Sequence, residues 1–152
     1  MRKTILTDCD GVLLNWFSGL PAFLEDQGHD TQHLRALLEG NQFAPFYDLF
    51  QVNNNDDALA MMDRYHQSEH LTRLPEMEPG ASESINRLSD EYDIIVVTSF
   101  SENKQAHRNR EQNLQLRYGN AITDLVCLPF SADKTEALKE LARRCDAKIC
   151  LD

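Results

Sequence analysis

Two carboxylates separated by one residue, Asp8 and Asp10, are the first side chains in this sequence that could do chemistry. They follow a short apolar run, Ile5 and Leu6, and precede Gly11, a pattern that predicts a buried strand ending in a sharp turn. Two acids this close cannot both ionise cheaply, so either one is protonated or a cation neutralises them. Oxygen ligands of this kind suit Mg²⁺. A solvated turn explains the tetrapeptide equally well, and residues elsewhere in the chain decide between the two.

Further polar residues stand where other predicted strands end. Thr98 and Ser99 close a β-branched run, Lys134 opens the helix after the third strand, and Asp152 ends the last strand. Because ligands bind at the carboxyl ends of parallel strands, we expect these side chains to share one rim with the two acids. Carboxylates, a hydroxyl and an ammonium group are what phosphoryl transfer needs, and a carboxylate can itself attack phosphorus. Each residue alone also has an ordinary interpretation as a turn hydroxyl, a surface charge or a polar strand end.

The elements that position these residues form an α/β pattern. Strands alternate with helices from residue 80 onward, which predicts a Rossmann-like parallel sheet flanked by helices. The first strand must join that sheet, so we expect a core domain of residues 1–14 and 78–152 and a small helical cap, 15–77, inserted after the first strand. The cap is predicted to hold helices within 13–27, over 31–39 and from Asp56, around a loop at 41–55. The core is predicted to hold helices over 81–90, 101–118 and 133–144 and strands over 93–98, 124–128 and 147–151.

Composition and net charge exclude several classes of protein. The 152 residues are 41% hydrophobic and 26% charged, which is ordinary for a soluble globular protein. The net charge of -10 argues against polymeric nucleic acid as a partner, and no apolar run approaches the roughly 20 residues of a membrane span. A signal pattern is lacking, so we expect a cytoplasmic protein with reduced thiols, an inert Cys9 among them. The oligomeric state stays open, with a homodimer among the candidates. The cysteines are Cys9, Cys127, Cys145 and Cys150.

Four stretches in this order resemble the four motifs of the haloacid dehalogenase (HAD) superfamily. The match spans the whole chain, and the set of motifs is specific. The resemblance implies a Mg²⁺-dependent phosphohydrolase that removes phosphate from a small phosphorylated metabolite through an aspartyl-phosphate intermediate. The stretches are D-C-D-G-V at 8–12, V-T-S at 97–99, D-K-T at 133–135 and I-C-L-D at 149–152.

The resemblance also implies a role for each motif residue. Asp8 would be the nucleophile and Asp10 the general acid and base. The metal would be bound by Asp8, by Asp10 through its backbone carbonyl, and by Asp152. The phosphoryl group would be held by Thr98, Ser99 and Lys134.

A narrower resemblance is to the 5'(3')-deoxyribonucleotidases, which implies a (deoxy)nucleoside 5'-monophosphate as substrate. It rests on the small cap, on the T-S and D-K-T stretches and on M-E-P-G-A at 77–81. Trp16 resembles the aromatic residue that contacts the base in that subfamily, and such stacking contributes roughly 1 to 3 kcal/mol. Packing in the cap explains Trp16 equally well. Phe43 and Phe46 would close the pocket from the cap or simply anchor its loop.

The sequence departs from the superfamily at its fourth motif, which normally has two successive acids and a further loop and helix. Here the sequence stops at Asp152, and we expect that it is truncated. The alternatives are therefore a phosphatase for a sugar phosphate or other phosphomonoester, or an inactive HAD-like ligand-binding protein. A phosphorylated receiver is disfavoured, because the third predicted strand ends in Leu128 and Pro129 rather than an acid.

Two further patterns are weak. His66 and His70 have the spacing of a metal-binding pair, but no third ligand follows, so a solvated helix face is favoured. The basic residues of 104–110 could meet a substrate phosphate, although most such clusters are merely solvated.

Overall fold

The structure is a computed structural model that describes residues 2–40 and 44–145 in full and 149–151 as backbone. Its described strands form one parallel sheet with the order β3-β2-β1-β4. The predicted fold class, a parallel sheet flanked by helices, is confirmed. The strands are β1 (Lys3–Thr7), β2 (Tyr92–Ser99), β3 (Asp124–Leu128) and β4 (Ile149–Leu151).

Between β1 and the second half of the chain, the described residues are mainly helical. The helices are α1 (Leu20–Asp26), α2 (Gln32–Glu39), α3 (Phe46–Leu49) and α4 (Asn55–Gln67), with 3-10 turns at Trp16–Gly19 and Glu69–Arg73. Helix α3 lies inside the segment predicted to be a loop, and α4 is capped by the Asn54 side chain rather than by Asp56. We refer to residues 15–77 as the insertion, and the division into two domains stays a prediction.

Three helices belong to the alternating half of the chain. They are α5 (Ala81–Ser89), α6 (Lys104–Tyr118) and α7 (Lys134–Cys145). The alternating side chains of β2 divide the core between the two faces of the sheet. Ile94 and Val96 pack in a large cluster with α5, α6 and the insertion, whereas Ile95 and Val97 pack in a smaller one with α7. A strand covered on both faces explains the unbroken β-branched run that the sequence shows here.

Polar side chains of helix α6 form hydrogen bonds with the backbone of the insertion. The sequence gives this helix little apolar character, yet Asn109 and Asn113 are buried. The Asn109 amide donates to the backbone carbonyls of His66 and Ser68, each at 3.0 Å. Asn113 exchanges two hydrogen bonds with the backbone of Leu74. Buried backbone groups need such partners, so this face of α6 positions the end of the insertion above the sheet.

Within the described ranges, no helix combines the length and the apolar character needed to cross a bilayer.

Candidate active site

The end of β1 meets the start of α7 in an ion pair between Asp8 and Lys134. The Lys134 Nζ lies 2.5 Å from Oδ2 of Asp8, and the other carboxylate oxygen accepts a hydrogen bond from the backbone N–H of Cys9 at 2.7 Å. The two side chains keep 23% and 25% of their surface exposed. The structure thus joins two residues 126 positions apart at a place that a ligand can reach.

The loop after β1 is a tight turn that fixes the direction of both acids. Gly11 has a φ of +79°, a conformation that a side chain would strain. The backbone N–H groups of Leu13 and Leu14 both donate to the Cys9 carbonyl, at 2.8 and 3.0 Å. The Tyr118 hydroxyl then donates to the Leu13 carbonyl at 2.6 Å. These bonds hold Asp8 and Asp10 in a rigid frame rather than on a mobile loop.

The second acid, Asp10, is held by an arginine from α6. The Nη2 of Arg110 donates to Oδ2 of Asp10 at 2.9 Å and lies 2.7 Å from Oδ1 without hydrogen-bond geometry. The Arg110 side chain is fully buried, whereas the Asp10 side chain keeps 27% of its surface exposed. The guanidinium also contacts the Cys9 thiol at 3.1 Å and lies 4.6 Å from the ring centre of Phe100. A buried charge needs such partners to be tolerated.

Burial dominates the electrostatics of this loop. It raises the pKa of the Asp10 carboxyl above its usual range, and the Arg110 guanidinium opposes that shift. Burial likewise raises the pKa of the Cys9 thiol far above its usual range. Because the thiolate is the reactive form, this shift favours the unreactive thiol, and the inertness of Cys9 stays a prediction.

Arg110 is the site residue that sequence reasoning missed. We expected the basic residues of 104–110 to be solvated or to meet a substrate, whereas Arg110 lies beneath the loop of Asp10. The signal for its burial was its spacing. Arg110 lies at four-residue intervals in line with Ala106, Leu114 and Tyr118, which are all buried. A charged residue in such an apolar stripe indicates a buried partner.

The two predicted phosphate-binding hydroxyls end β2, the strand next to β1. Thr98 is buried, whereas Ser99 is half-buried at the last position of the strand. Since the strands are parallel, both residues lie at the same edge of the sheet as Asp8. The structure brings Ser99 closer to solvent than Thr98, so Ser99 is the more accessible hydroxyl.

Trp16 packs within the insertion. Only 7% of the residue is exposed, and its indole N–H donates to Nε2 of His66 at 3.0 Å. The surrounding rings meet it edge to face, which is a favourable packing geometry. This arrangement explains Trp16 as a packing residue, and its stacking on a base stays a prediction. The rings are those of Phe17, Phe46, Phe50, Tyr65 and His66.

His66 is a buried ring, so the expected solvated helix face is wrong for this residue. Its Nε2 accepts from Trp16, and its ring stacks on Phe100 with centroids 4.2 Å apart. Burial, helped by the Arg110 charge, lowers its pKa to about 3. His70 is instead paired with Asp26 at 2.7 Å. The two histidines therefore make separate contacts, one with Trp16 and the other with Asp26.

The donors present suit Mg²⁺ in their chemistry. Asp8 and the backbone carbonyl of Asp10 offer hard oxygen ligands, and Oδ1 of Asp10 is a buried oxygen without a hydrogen bond. Among the residues that the structure describes, no three His, Cys, Asp or Glu side chains gather as a metal site. The predicted third ligand, Asp152, lies outside the described residues, as does the predicted substrate residue Phe43.

Comparisons with known proteins agree with this fold. No protein-family model matches the chain. A HAD-superfamily hydrolase (subfamily IA, variant 1) from Geobacter sulfurreducens PCA aligns with a TM-score of 0.55 and 18% identity, over 97% of this chain and 75% of that one. The L-2-haloacid dehalogenase of Xanthobacter autotrophicus, solved with chloropropionic acid covalently bound, aligns with a TM-score of 0.56 and 12% identity. This alignment covers 99% of this chain and 69% of that one. The chain thus has the fold of HAD-superfamily hydrolases.

One curated protein is similar in sequence. It is an uncharacterized 32.4 kDa protein from the Gp30-rIII intergenic region of Enterobacteria phage T4, with 27% identity over 154 aligned positions. The alignment takes in 100% of this chain and 54% of the phage protein. This chain therefore spans about half the length of the curated relative that it matches.

Proposed function

We propose that this protein hydrolyses phosphomonoesters with Asp8 as nucleophile and Mg²⁺ as cofactor. The observation that carries the proposal is the Asp8–Lys134 ion pair at the carboxyl edge of the sheet, partly open to solvent. A carboxylate that must approach an anionic phosphate needs a cation beside it, and Lys134 supplies one at 2.5 Å. The HAD-like fold supports the proposal, because its ligand edge coincides with this pair.

The reaction has two steps. An Asp8 oxygen forms a bond to phosphorus while the ester P–O bond breaks, and the leaving oxygen takes a proton from Asp10. Water then attacks the phosphorus of the aspartyl phosphate, gives its proton to Asp10, and releases phosphate and the Asp8 carboxylate. Lys134 stabilises the phosphoryl charge in both steps, together with the hydroxyl of Thr98 or Ser99. When bound by Asp8, the Asp10 carbonyl and Asp152, Mg²⁺ would neutralise negative charge on the phosphoryl oxygens.

Asp10 favours a phosphatase over a dehalogenase, the other activity that a fold neighbour carries. A halide leaves without a proton, whereas an alkoxide leaving group needs one. Asp10 stands two residues beyond the nucleophile in the same rigid turn, and Arg110 fixes its carboxylate. A second acid held this close to the nucleophile can protonate the leaving alkoxide in ester hydrolysis, a step that halide displacement does not need.

The substrate class that we infer is the (deoxy)nucleoside 5'-monophosphates. The support is the resemblance to the 5'(3')-deoxyribonucleotidases and the aromatic character of the insertion, where Phe17 and Phe46 are 42% and 48% exposed. Exposed rings of this kind can stack on a base. The alternatives are a sugar phosphate or another small phosphomonoester, or ligand binding without turnover.

Phosphate release tests the proposal. The protein is incubated with Mg²⁺ or with EDTA and a panel of nucleoside monophosphates, deoxynucleoside monophosphates and sugar phosphates, and 2-chloropropionate is assayed for chloride release. We expect Mg²⁺-dependent release of phosphate, fastest from nucleotides, and none from Asp8→Asn. Chloride release without phosphate release would favour a dehalogenase. Release of neither phosphate nor chloride from any compound would favour ligand binding without turnover.

A further inference from the structure

A cleft of about 570 Å³, a size typical of small-molecule sites, lies at the carboxyl edge of the sheet, the edge at which the Asp8–Lys134 pair also lies. Its walls are the loop after β2, residues 100–103, the loop after β3, residues 129–131, and Leu59 and Asp63 of α4. The wall at 129–131 leads directly into Lys134. The cleft therefore lies between α4 of the insertion and the two loops that follow β2 and β3.

The charged residues that line this cleft are both acids. Asp63 and Glu102 belong to the lining, in which none of the described residues is Lys, Arg or His. Asp63 accepts hydrogen bonds from Ser101 and Gln67, a hydroxyl and an amide that bring no opposite charge. Among the described residues Glu102 has no ion-pair partner, and it is exposed. The cleft lining thus carries two acids, neither of which forms an ion pair with a described residue.

The remaining walls suit an uncharged, planar or ring-shaped group. The Phe130 side chain is 46% exposed, and Phe100 forms the buried end of the cleft. Asn103 and Ser131 add polar groups that can hydrogen-bond to hydroxyl or amino substituents.

We propose that this cleft receives the leaving group of the ester and that Asp63 and Glu102 select leaving groups that are neutral or cationic. The inference rests on the proposed phosphatase function and adds the charge class of the substrate. Like charges at contact distance repel, so a second phosphate or a carboxylate is disfavoured in the cleft. A nucleoside fits this class because it is uncharged, whereas bisphosphorylated substrates do not.

Three aryl phosphates of similar size test the selection. They are phenyl phosphate, 4-carboxyphenyl phosphate and 4-(aminomethyl)phenyl phosphate, whose leaving groups are neutral, anionic and cationic. The readout is the ratio of kcat/KM for the cationic over the anionic ester. Comparing this ratio between variants cancels the intrinsic reactivity of the esters. Phenyl phosphate tests the phosphatase function itself.

The variants change one charge at a time. Glu102→Gln should lower the ratio by roughly five- to ten-fold, and Glu102→Lys by more, as expected for unit charges in a partly solvated cleft. Asp63→Asn, which keeps an oxygen acceptor for Ser101, should lower it in the same direction. The matched control is Glu91→Gln, an exposed acid at the start of β2 on the opposite edge of the sheet, and it should leave the ratio unchanged.

The outcomes separate the two proposals. If all three esters are hydrolysed but the cleft variants keep the wild-type ratio, the charge selection alone is overturned. These variants are Glu102→Gln, Glu102→Lys and Asp63→Asn. Absence of hydrolysis with phenyl phosphate and with both charged esters would overturn the phosphatase function and the selection with it. A lowered ratio in the cleft variants beside an unchanged Glu91→Gln supports both.

Discussion

Replacing Arg110 by methionine should destabilise the protein far more than any neighbouring change on α6. Methionine keeps an unbranched side chain of similar length but lacks the guanidinium. The substitution removes the 2.9 Å hydrogen bond to Asp10, the contact with the Cys9 thiol and the charge beneath the Phe100 ring. It leaves the Asp10 carboxylate without its cation in a largely enclosed turn.

The expected loss follows from the burial of the two partners. Breaking a buried ion pair by removing one partner costs about 3 to 5 kcal/mol. Arg110 has no exposed surface, but Asp10 keeps 27% of its side chain exposed and can regain some water. The free energy of unfolding should therefore fall by the lower figure, about 3 kcal/mol. For a chain of this length the melting temperature would fall by roughly 6 to 12 °C.

Urea unfolding at neutral pH measures this loss. The matched control is Arg108→Met, two residues away on α6, where the arginine is exposed and donates a hydrogen bond to Gln105. Its free energy of unfolding should change by less than about 0.5 kcal/mol. If the free energy of unfolding of Arg110→Met also changes by less than about 0.5 kcal/mol, the stabilising role of the buried Arg110–Asp10 ion pair is refuted. A double-mutant cycle with Asp10→Asn should show coupling, because the second change removes the charge that Arg110 neutralises.

Three further predictions concern the nucleophile, the buried imidazole and the indole. Asp8→Asn should abolish phosphate release while far-UV circular dichroism stays native, and retained activity would exclude this nucleophile. His66 takes up a proton near pH 6.5 when unfolded but only near pH 3 when folded, so its contribution to stability is complete above pH 6.5 and is lost as the pH falls toward 3. The free energy of unfolding of the wild-type protein, measured with urea, should therefore fall by about 2 kcal/mol more between pH 7.5 and pH 5.0 than that of His66→Gln. An equal fall in both proteins would contradict the neutral ring. Trp16→Phe should cost about 1 to 3 kcal/mol of unfolding free energy by leaving His66 Nε2 unpaired. Trp16→Ala should lower kcat/KM on nucleotides more than on phenyl phosphate, and an equal loss on both would count against base stacking.

The sequence alone predicted the parts of this protein that depend on local pattern and chain order. A β-branched run covered on both faces makes β2 recognisable, and an acidic pair before a glycine marks the end of β1. Because parallel strands present their carboxyl ends at one edge, the meeting of Asp8 with Lys134 could be expected without knowing any contact. The same reasoning predicted a helical segment between β1 and the alternating half.

Only the tertiary structure decided which side chains are buried and what they meet. Helical spacing places Arg110, but not Arg108, in line with the apolar residues of α6, yet only the packing of α6 shows that Arg110 lies beneath Asp10 and that Arg108 is exposed. Trp16 likewise fits a base platform or a packing residue until its indole N–H is seen bonded to His66. The physical reason is that helical periodicity fixes which residues share a face, whereas the partner of that face is set by packing between segments distant in sequence.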